Sequence, residues 1–224
     1  MPDQKFVQAV RVMNGLSAGL EKRILLWLAG RMPAAIGSDH LTALGFAAMI
    51  GAGLCYWLAG SHHLALVGVV VCLAVNWFGD SLDGTVARVR RQERPRYGFY
   101  VDHVLDMFGS LFLLGGLALS GFMTPFVALG LLVSYLMLTT EVYLATYSLA
   151  SFRLSFFKIG PTELRILLAI GTLVLLVNPT VPVFGRRYLL FDVGGVVAMA
   201  GIGVALLAAA IAEKAYPDVK IVLY

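Results

Sequence analysis

Residues 79–106 read GDSLDGTVARVRRQERPRYGFYVDHVLD and place four aspartates at the ends of two apolar segments. Each segment is close to the length that crosses a bilayer, which needs about 20 residues. An acidic side chain at the centre of a membrane helix costs roughly 2.5–3.5 kcal/mol on insertion scales. Four acids in such a setting therefore indicate a functional site and not a set of solvated helix ends.

The spacing of these residues puts them on two helical stripes, because offsets of three, four, seven and eight residues fall on one face of an α-helix. The first stripe holds two carboxylates, two very small side chains and a cation: Asp80, Asp83, Gly84, Ala87 and Arg88. The second stripe holds Gly98, Asp102 and Asp106. If the stripes face each other, the carboxylates form a cage of hard oxygen ligands, which suits Mg²⁺, Mn²⁺ or Ca²⁺ better than zinc or copper.

A groove beside this cage is predicted by the small residues. Gly84 and Ala87 would let a flat ring or a sugar approach the helix backbone, and Arg88 could bind a phosphate. The candidate ligands of such an ion are Asp80, Asp83 and Asp102, with Asp106 completing the shell.

The pattern D-x2-D-G-x2-A-R followed by G-x3-D-x3-D resembles that of the CDP-alcohol phosphotransferases (CDP-alcohol phosphatidyltransferases) of class I. Its one departure is an additional residue between Arg88 and Gly98, which we expect in a loop near Pro95. The resemblance implies a membrane enzyme that moves a substituted phosphate from a CDP-linked donor to an alcohol and releases CMP. It further implies two-metal phosphoryl transfer, with Asp106 as the catalytic base for the acceptor hydroxyl. The nucleotide-binding residues that it implies are Asp80, Gly84, Ala87 and Arg88.

Composition predicts an all-α integral membrane protein. Hydrophobic residues make up 59% of the chain and charged residues 13%, against roughly 25% charged in soluble domains. Six spans are predicted at about 41–60, 64–80, 99–121, 125–147, 163–180 and 189–212, and the second should continue as helix to Arg88 or beyond. Residues 1–37 are predicted to form an amphipathic segment on the membrane surface, or to pack on the bundle, and residues 38–224 to form the transmembrane domain.

Orientation follows from the cations, since cytoplasmic loops are enriched in Lys and Arg. If the N-terminus is cytoplasmic, every one of the 17 Lys and Arg residues except Arg186 and Arg187 lies in a cytoplasmic segment. We therefore expect both termini and the aspartate cage on the cytoplasmic side, in the inner membrane if the source is bacterial.

The acceptor site is less clearly marked. An intramembrane Glu141 is a functional candidate, and three cations of the loop before the fifth span could bind an acceptor phosphate: Arg153, Lys158 and Arg165. The same cations could equally serve as a positive-inside loop. The stretch GPTE at 160–163 is similar to a segment of eukaryotic choline and ethanolamine phosphotransferases, which would favour an amino-alcohol head group or a diacylglycerol acceptor.

Several functions remain open. CDP-diacylglycerol with an alcohol acceptor is the first expectation, and CDP-choline or CDP-ethanolamine with diacylglycerol is the alternative within the family. An isoprenoid transferase and a cation transporter with intramembrane carboxylates are the rivals of other classes. Family resemblance suggests a homodimer in contact with membrane lipid, and no nucleic-acid partner is expected.

Overall fold

The computed structural model describes residues 10–12, 18–149, 151–153 and 161–215, with side chains over 19–145 and 161–211. Of the acceptor-site candidates, Lys158 and the side chain of Arg153 lie outside this part of the chain. The described helices are α1 Ala18–Arg31, α2 Ser38–Ala59, α3 Ala65–Val89, α4 Pro95–Leu119, α5 Pro125–Leu149, α6 Pro161–Leu175 and α7 Leu190–Ala215. Short strands are β1 Val10–Val12, parallel to β2 Ser151–Arg153, and β3 Thr180–Val183, antiparallel to β4 Arg186–Leu189.

Five of these helices are long and apolar enough to cross a membrane: α2, α3, α4, α5 and α7. The chain is thus an all-α integral membrane protein, as the composition predicts. Helix α6 has 15 residues, or about 22 Å at 1.5 Å per residue, against a hydrocarbon core of about 30 Å. The expectation of six spans therefore stays a prediction for α6. Helix α3 continues to Val89, which confirms that the first aspartate stripe is helical throughout.

Helix α2 packs against both α3 and α4, and glycines make these contacts close. At the crossing with α3, a Cβ added to Gly79 would lie 2.7 Å from the backbone nitrogen of Gly45. At the crossing with α4, a Cβ added to Gly116 would overlap the carbonyl oxygen of Gly53. Small residues are the usual means by which membrane helices bring their backbones together. The aspartate-bearing helices α3 and α4 are therefore both held against α2.

The crossing of α2 and α4 gives a stability prediction with a matched control on the same helix. Gly116→Ala should lower the free energy of unfolding by about 1–3 kcal/mol, because the new methyl group meets backbone that cannot move aside. Gly115→Ala should cost nothing, since an added Cβ there has no atom within 4 Å among the described residues. Thermal unfolding of the purified variants in detergent checks the difference. Equal melting temperatures would contradict this packing.

Helix α1 packs on the bundle through one stripe, formed by the buried residues Glu21, Leu25 and Ala29. The carboxylate of Glu21 accepts hydrogen bonds from Trp77 Nε1 at 3.0 Å, from Ser81 Oγ at 3.3 Å and from Thr162 Oγ1 at 2.9 Å. One carboxylate thus ties α1 to α3 and to the start of α6.

The opposite side of α1 exposes an apolar stripe that contains Leu20, Ile24 and Trp27. Arg31 lies over the Trp27 ring at 4.1 Å from its centroid. The sequence left open whether this segment lies on the membrane or packs on the bundle. The structure shows the packing, and membrane contact of the apolar stripe stays a prediction.

A turn at 90–94 separates α3 from α4 and provides a loop for the additional residue between the half-motifs. Arg91 adopts φ 55° there. Arg90 donates from its guanidinium to the carbonyl oxygens of Ile36 at 2.7 Å and of Pro33 at 2.9 Å, which fastens the turn to the chain that follows α1. Arg94 forms an exposed ion pair with Asp39.

Candidate metal centre

Three of the predicted aspartates meet in the structure. One carboxylate oxygen each from Asp80, Asp102 and Asp106 lies within 4.8 Å of the others. Asp80 comes from α3, whereas Asp102 and Asp106 stand one turn apart on α4. The packing of both helices on α2 is what brings the two stripes face to face.

The three aspartates line a small cleft between α2, α3 and α4. Its other walls are formed by Thr42, Gly45, Phe46, Met49, Asn76 and Leu105. Three carboxylates this close repel one another unless a proton or a cation neutralises them. Hard oxygen donors at this separation fit a divalent ion such as Mg²⁺ or Mn²⁺.

Part of that neutralisation comes from Arg165, at the start of α6. Its guanidinium donates to the carboxylate of Asp80, and both side chains are mostly buried, at 18% and 24% exposed. The sequence nominated Arg165 as an acceptor-binding cation, and the structure brings it to the edge of the aspartate group.

Asp83 occupies a different position from the other three aspartates. Its Oδ2 accepts a hydrogen bond from Thr42 Oγ1 at 2.6 Å, and its Oδ1 accepts one from the backbone N–H of Gly84. In the described part of the chain, the group of mutually close carboxylates comprises the other three. The role of Asp83 as a metal ligand therefore stays a prediction.

The residues nominated for the nucleotide continue along α3. Arg88 Nη2 donates to Thr85 Oγ1 at 3.1 Å, and a Cβ added to Gly84 would lie 3.6 Å from Arg88 Nη1. The guanidinium thus lies over the glycine, one turn from Asp83, and Ala87 follows with its small side chain half-buried. The side of α3 that carries the aspartates therefore also offers backbone without a covering side chain at Gly84 and the guanidinium of Arg88.

Of the other acceptor candidates, only Glu141 has a described side chain. It lies on α5 and is half-buried. On α4, Ser110 Oγ donates to the backbone carbonyl of Asp106 at 2.8 Å.

Sequence reasoning missed two polar residues of this region, Asn76 and Glu21. Asn76 precedes Asp80 by one helical turn, so the i, i+4 offset that identified the stripe could have found it. Glu21 is separated from α3 by the whole of α2 in the sequence, and no local pattern marks its contact with Trp77 and Ser81.

Comparison with known proteins gives one match. A protein-family model described as CDP-alcohol phosphatidyltransferase matches residues 37–212, which includes every residue of the metal centre and of the groove beside it. A search of curated proteins finds no significant match.

Proposed function

The chain belongs to the CDP-alcohol phosphatidyltransferase family, and on this premise we propose that it transfers a phosphatidyl group from CDP-diacylglycerol to an alcohol and releases CMP. Family membership makes the chain a transferase of substituted phosphate groups, in a membrane, with a CDP-alcohol donor and an alcohol acceptor. The observation that carries the proposal is the meeting of Asp80, Asp102 and Asp106 within 4.8 Å in an open cleft.

The aspartates have named roles in the proposed reaction. Asp80, Asp83 and Asp102 would hold two divalent ions, Mg²⁺ or Mn²⁺, with Asp106 as a further ligand. When bound, these ions supply charge stabilisation at the diphosphate of the donor. Asp106 accepts the proton of the acceptor hydroxyl as the oxygen attacks the β-phosphorus. A new bond forms from the acceptor oxygen to that phosphorus, and the bond to the CMP oxygen breaks.

The cytidine nucleotide is proposed to lie along α3, where Gly84 and Ala87 leave space at the helix backbone. Arg88 would donate to the nucleotide phosphate in a bidentate fashion. The contact between Arg88 and Thr85 supports this role, because it holds the guanidinium over Gly84.

Arg165 is proposed to bind a phosphate of the substrate, with Glu141, Arg153 and Lys158 as further acceptor-site candidates. Arg165→Gln should raise the KM for a phosphorylated acceptor about 10-fold to 100-fold, as expected when a charge-assisted hydrogen bond is lost. Arg187→Gln, an exposed cation on β4, is the matched control and should change KM little. The KM of each variant is measured from steady-state CMP release at varied acceptor concentration. An unchanged KM in Arg165→Gln would contradict the assignment.

The donor is tested with a panel of substrates. Purified protein is given CDP-diacylglycerol with glycerol phosphate, inositol phosphate, serine or other alcohols, and separately CDP-choline or CDP-ethanolamine with diacylglycerol. We expect CMP release with the first donor. CMP release with only the second would establish the alternative, which is favoured by the similarity of the GPTE stretch at 160–163 to a segment of eukaryotic choline and ethanolamine phosphotransferases. Divalent-cation flux in liposomes without CMP release would support a transporter.

The topology and assembly complete the proposal. We propose six spans, with α6 as the fifth, both termini on the cytoplasmic side, residues 1–37 at the membrane surface, and a homodimer. The cation distribution supports the orientation, because it puts the cleft where CDP-linked donors are made. Accessibility of cysteines introduced at 62 and at 92 to an impermeant thiol reagent tests it, since the two positions should lie on opposite sides of the membrane.

A further inference from the structure

Asn76 is a buried amide on α3, one helical turn before Asp80, and 4% of its surface is exposed. Its Nδ2 donates to the carbonyl oxygen of Gly45 at 3.0 Å. A carbonyl oxygen only accepts, so the amide nitrogen has to face Gly45 and the amide oxygen has to face away from it. The orientation of the side chain is therefore decided by its surroundings.

The amide oxygen of Asn76, Oδ1, is buried, and among the residues that the structure describes none donates a hydrogen bond to it. Buried polar atoms are nearly always partnered, because leaving one without a partner costs stability. Asn76 is also a wall residue of the cleft that holds Asp80, Asp102 and Asp106. An acceptor kept without a donor beside three carboxylates indicates a partner that arrives from outside the chain.

We propose that Asn76 Oδ1 is a neutral fourth oxygen ligand of the divalent ion that Asp80, Asp102 and Asp106 bind. Amide carbonyls ligate hard cations alongside carboxylates. A divalent cation can be coordinated by the amide oxygen and the three carboxylates at once, and its charge adds to that of Arg165 in offsetting theirs. The inference rests on the proposed metal-dependent function, and it adds a residue from deeper in α3 to that site.

The test is a titration of the purified protein with Mn²⁺ alone, followed by the electron paramagnetic resonance signal of the free ion. Asn76→Leu keeps the approximate shape of the side chain and removes both polar atoms. We expect its Mn²⁺ affinity to fall about 10-fold to 100-fold, the loss typical when a supporting group of a metal site is removed. In EDTA the variant should melt close to the wild-type temperature, because the loss of the hydrogen bond to Gly45 is offset by the removal of a buried acceptor without a donor.

Thr172→Val is the matched control. Thr172 lies on α6 and is fully buried, and its hydroxyl is 2.6 Å from Tyr56 Oη on α2. Neither residue lines the cleft. This variant should melt at a lower temperature than the wild type and bind Mn²⁺ with unchanged affinity. If Asn76→Leu does not fold, Asn76→Ala takes its place with the same expected loss of affinity.

Asp102→Asn in the same titration separates this inference from the proposed function. If Asp102→Asn loses Mn²⁺ affinity and Asn76→Leu keeps it, Asn76 is not a ligand and the metal site stands. If neither loses affinity, the metal site itself is refuted. An affinity loss in Thr172→Val as large as that in Asn76→Leu would also overturn the inference, because it would reflect a general disturbance of the fold.

Discussion

Asp106→Asn should lower the rate of CMP release about 10²-fold to 10⁴-fold, the range that general acid–base catalysis contributes. Asparagine has the shape of aspartate but cannot accept the proton of the acceptor hydroxyl. The helix around it should persist, because asparagine fits the same position and Ser110 Oγ donates to the backbone carbonyl of residue 106. The measurement is kcat at saturating substrates, with circular dichroism to verify that the variant is folded.

Metal concentration distinguishes the two roles proposed for Asp106. If its main role is that of a base, a large excess of Mn²⁺ leaves the variant inactive. If it serves only as a ligand, excess Mn²⁺ restores CMP release toward the wild-type rate, which would contradict the base assignment. Asp39→Asn is the matched control, since Asp39 is an exposed aspartate paired with Arg94, and its activity should remain close to that of the wild type.

Asp80→Asn should reduce CMP release to the background rate, and it should also destabilise the fold. Asp80 belongs to the carboxylate group and is at the same time the partner of Arg165. Loss of one member of a fully buried ion pair costs roughly 3–5 kcal/mol, and the partial exposure of these side chains makes the expected cost smaller. The measurements are CMP release and the melting temperature in EDTA.

A second substitution separates the two effects of Asp80→Asn. Adding Arg165→Met removes the cation that has lost its partner, so the double variant should regain much of the lost melting temperature. It should not regain activity, because the metal ligand is still missing. A double variant as unstable as Asp80→Asn would show that the contact with Arg165 does not account for the loss.

The helices could be predicted from local pattern, because each apolar run is bounded by residues that end helices or begin them. Pro95 stands at the first turn of α4 and Pro125 at the start of α5, where the missing N–H of proline has no cost. The predicted fifth span, 163–180, was longer than α6, which ends at Leu175. Leu176 and Val177 instead form a turn, and the β3–β4 hairpin begins at Thr180. The turn of the hairpin at Phe184 and Gly185 has positive φ at both residues.

The metal centre, too, could be predicted from the sequence only in part. The aspartates on α4 follow from a spacing of four residues, and Asp80 follows from its own stripe. Their meeting depends on the close contacts of α2 with α3 and with α4. The approach of Arg165 depends on the packing of α6 on α3. Such contacts join segments that are distant in the sequence, so periodicity within one helix carries no information about them. Glu21 is the clearest case, since its partners Trp77 and Thr162 come from two other helices.

The central claim is that the aspartate group of α3 and α4 holds divalent ions that the transfer reaction requires. The most direct measurement is CMP release by wild-type and Asp102→Asn protein, each stripped with EDTA and then titrated with Mn²⁺ in the presence of the donor and acceptor that the panel identifies. We predict no CMP release by stripped wild-type protein, full recovery on addition of Mn²⁺, and background release by Asp102→Asn throughout the titration. CMP release at the wild-type rate by the stripped protein, or by Asp102→Asn, would contradict the claim.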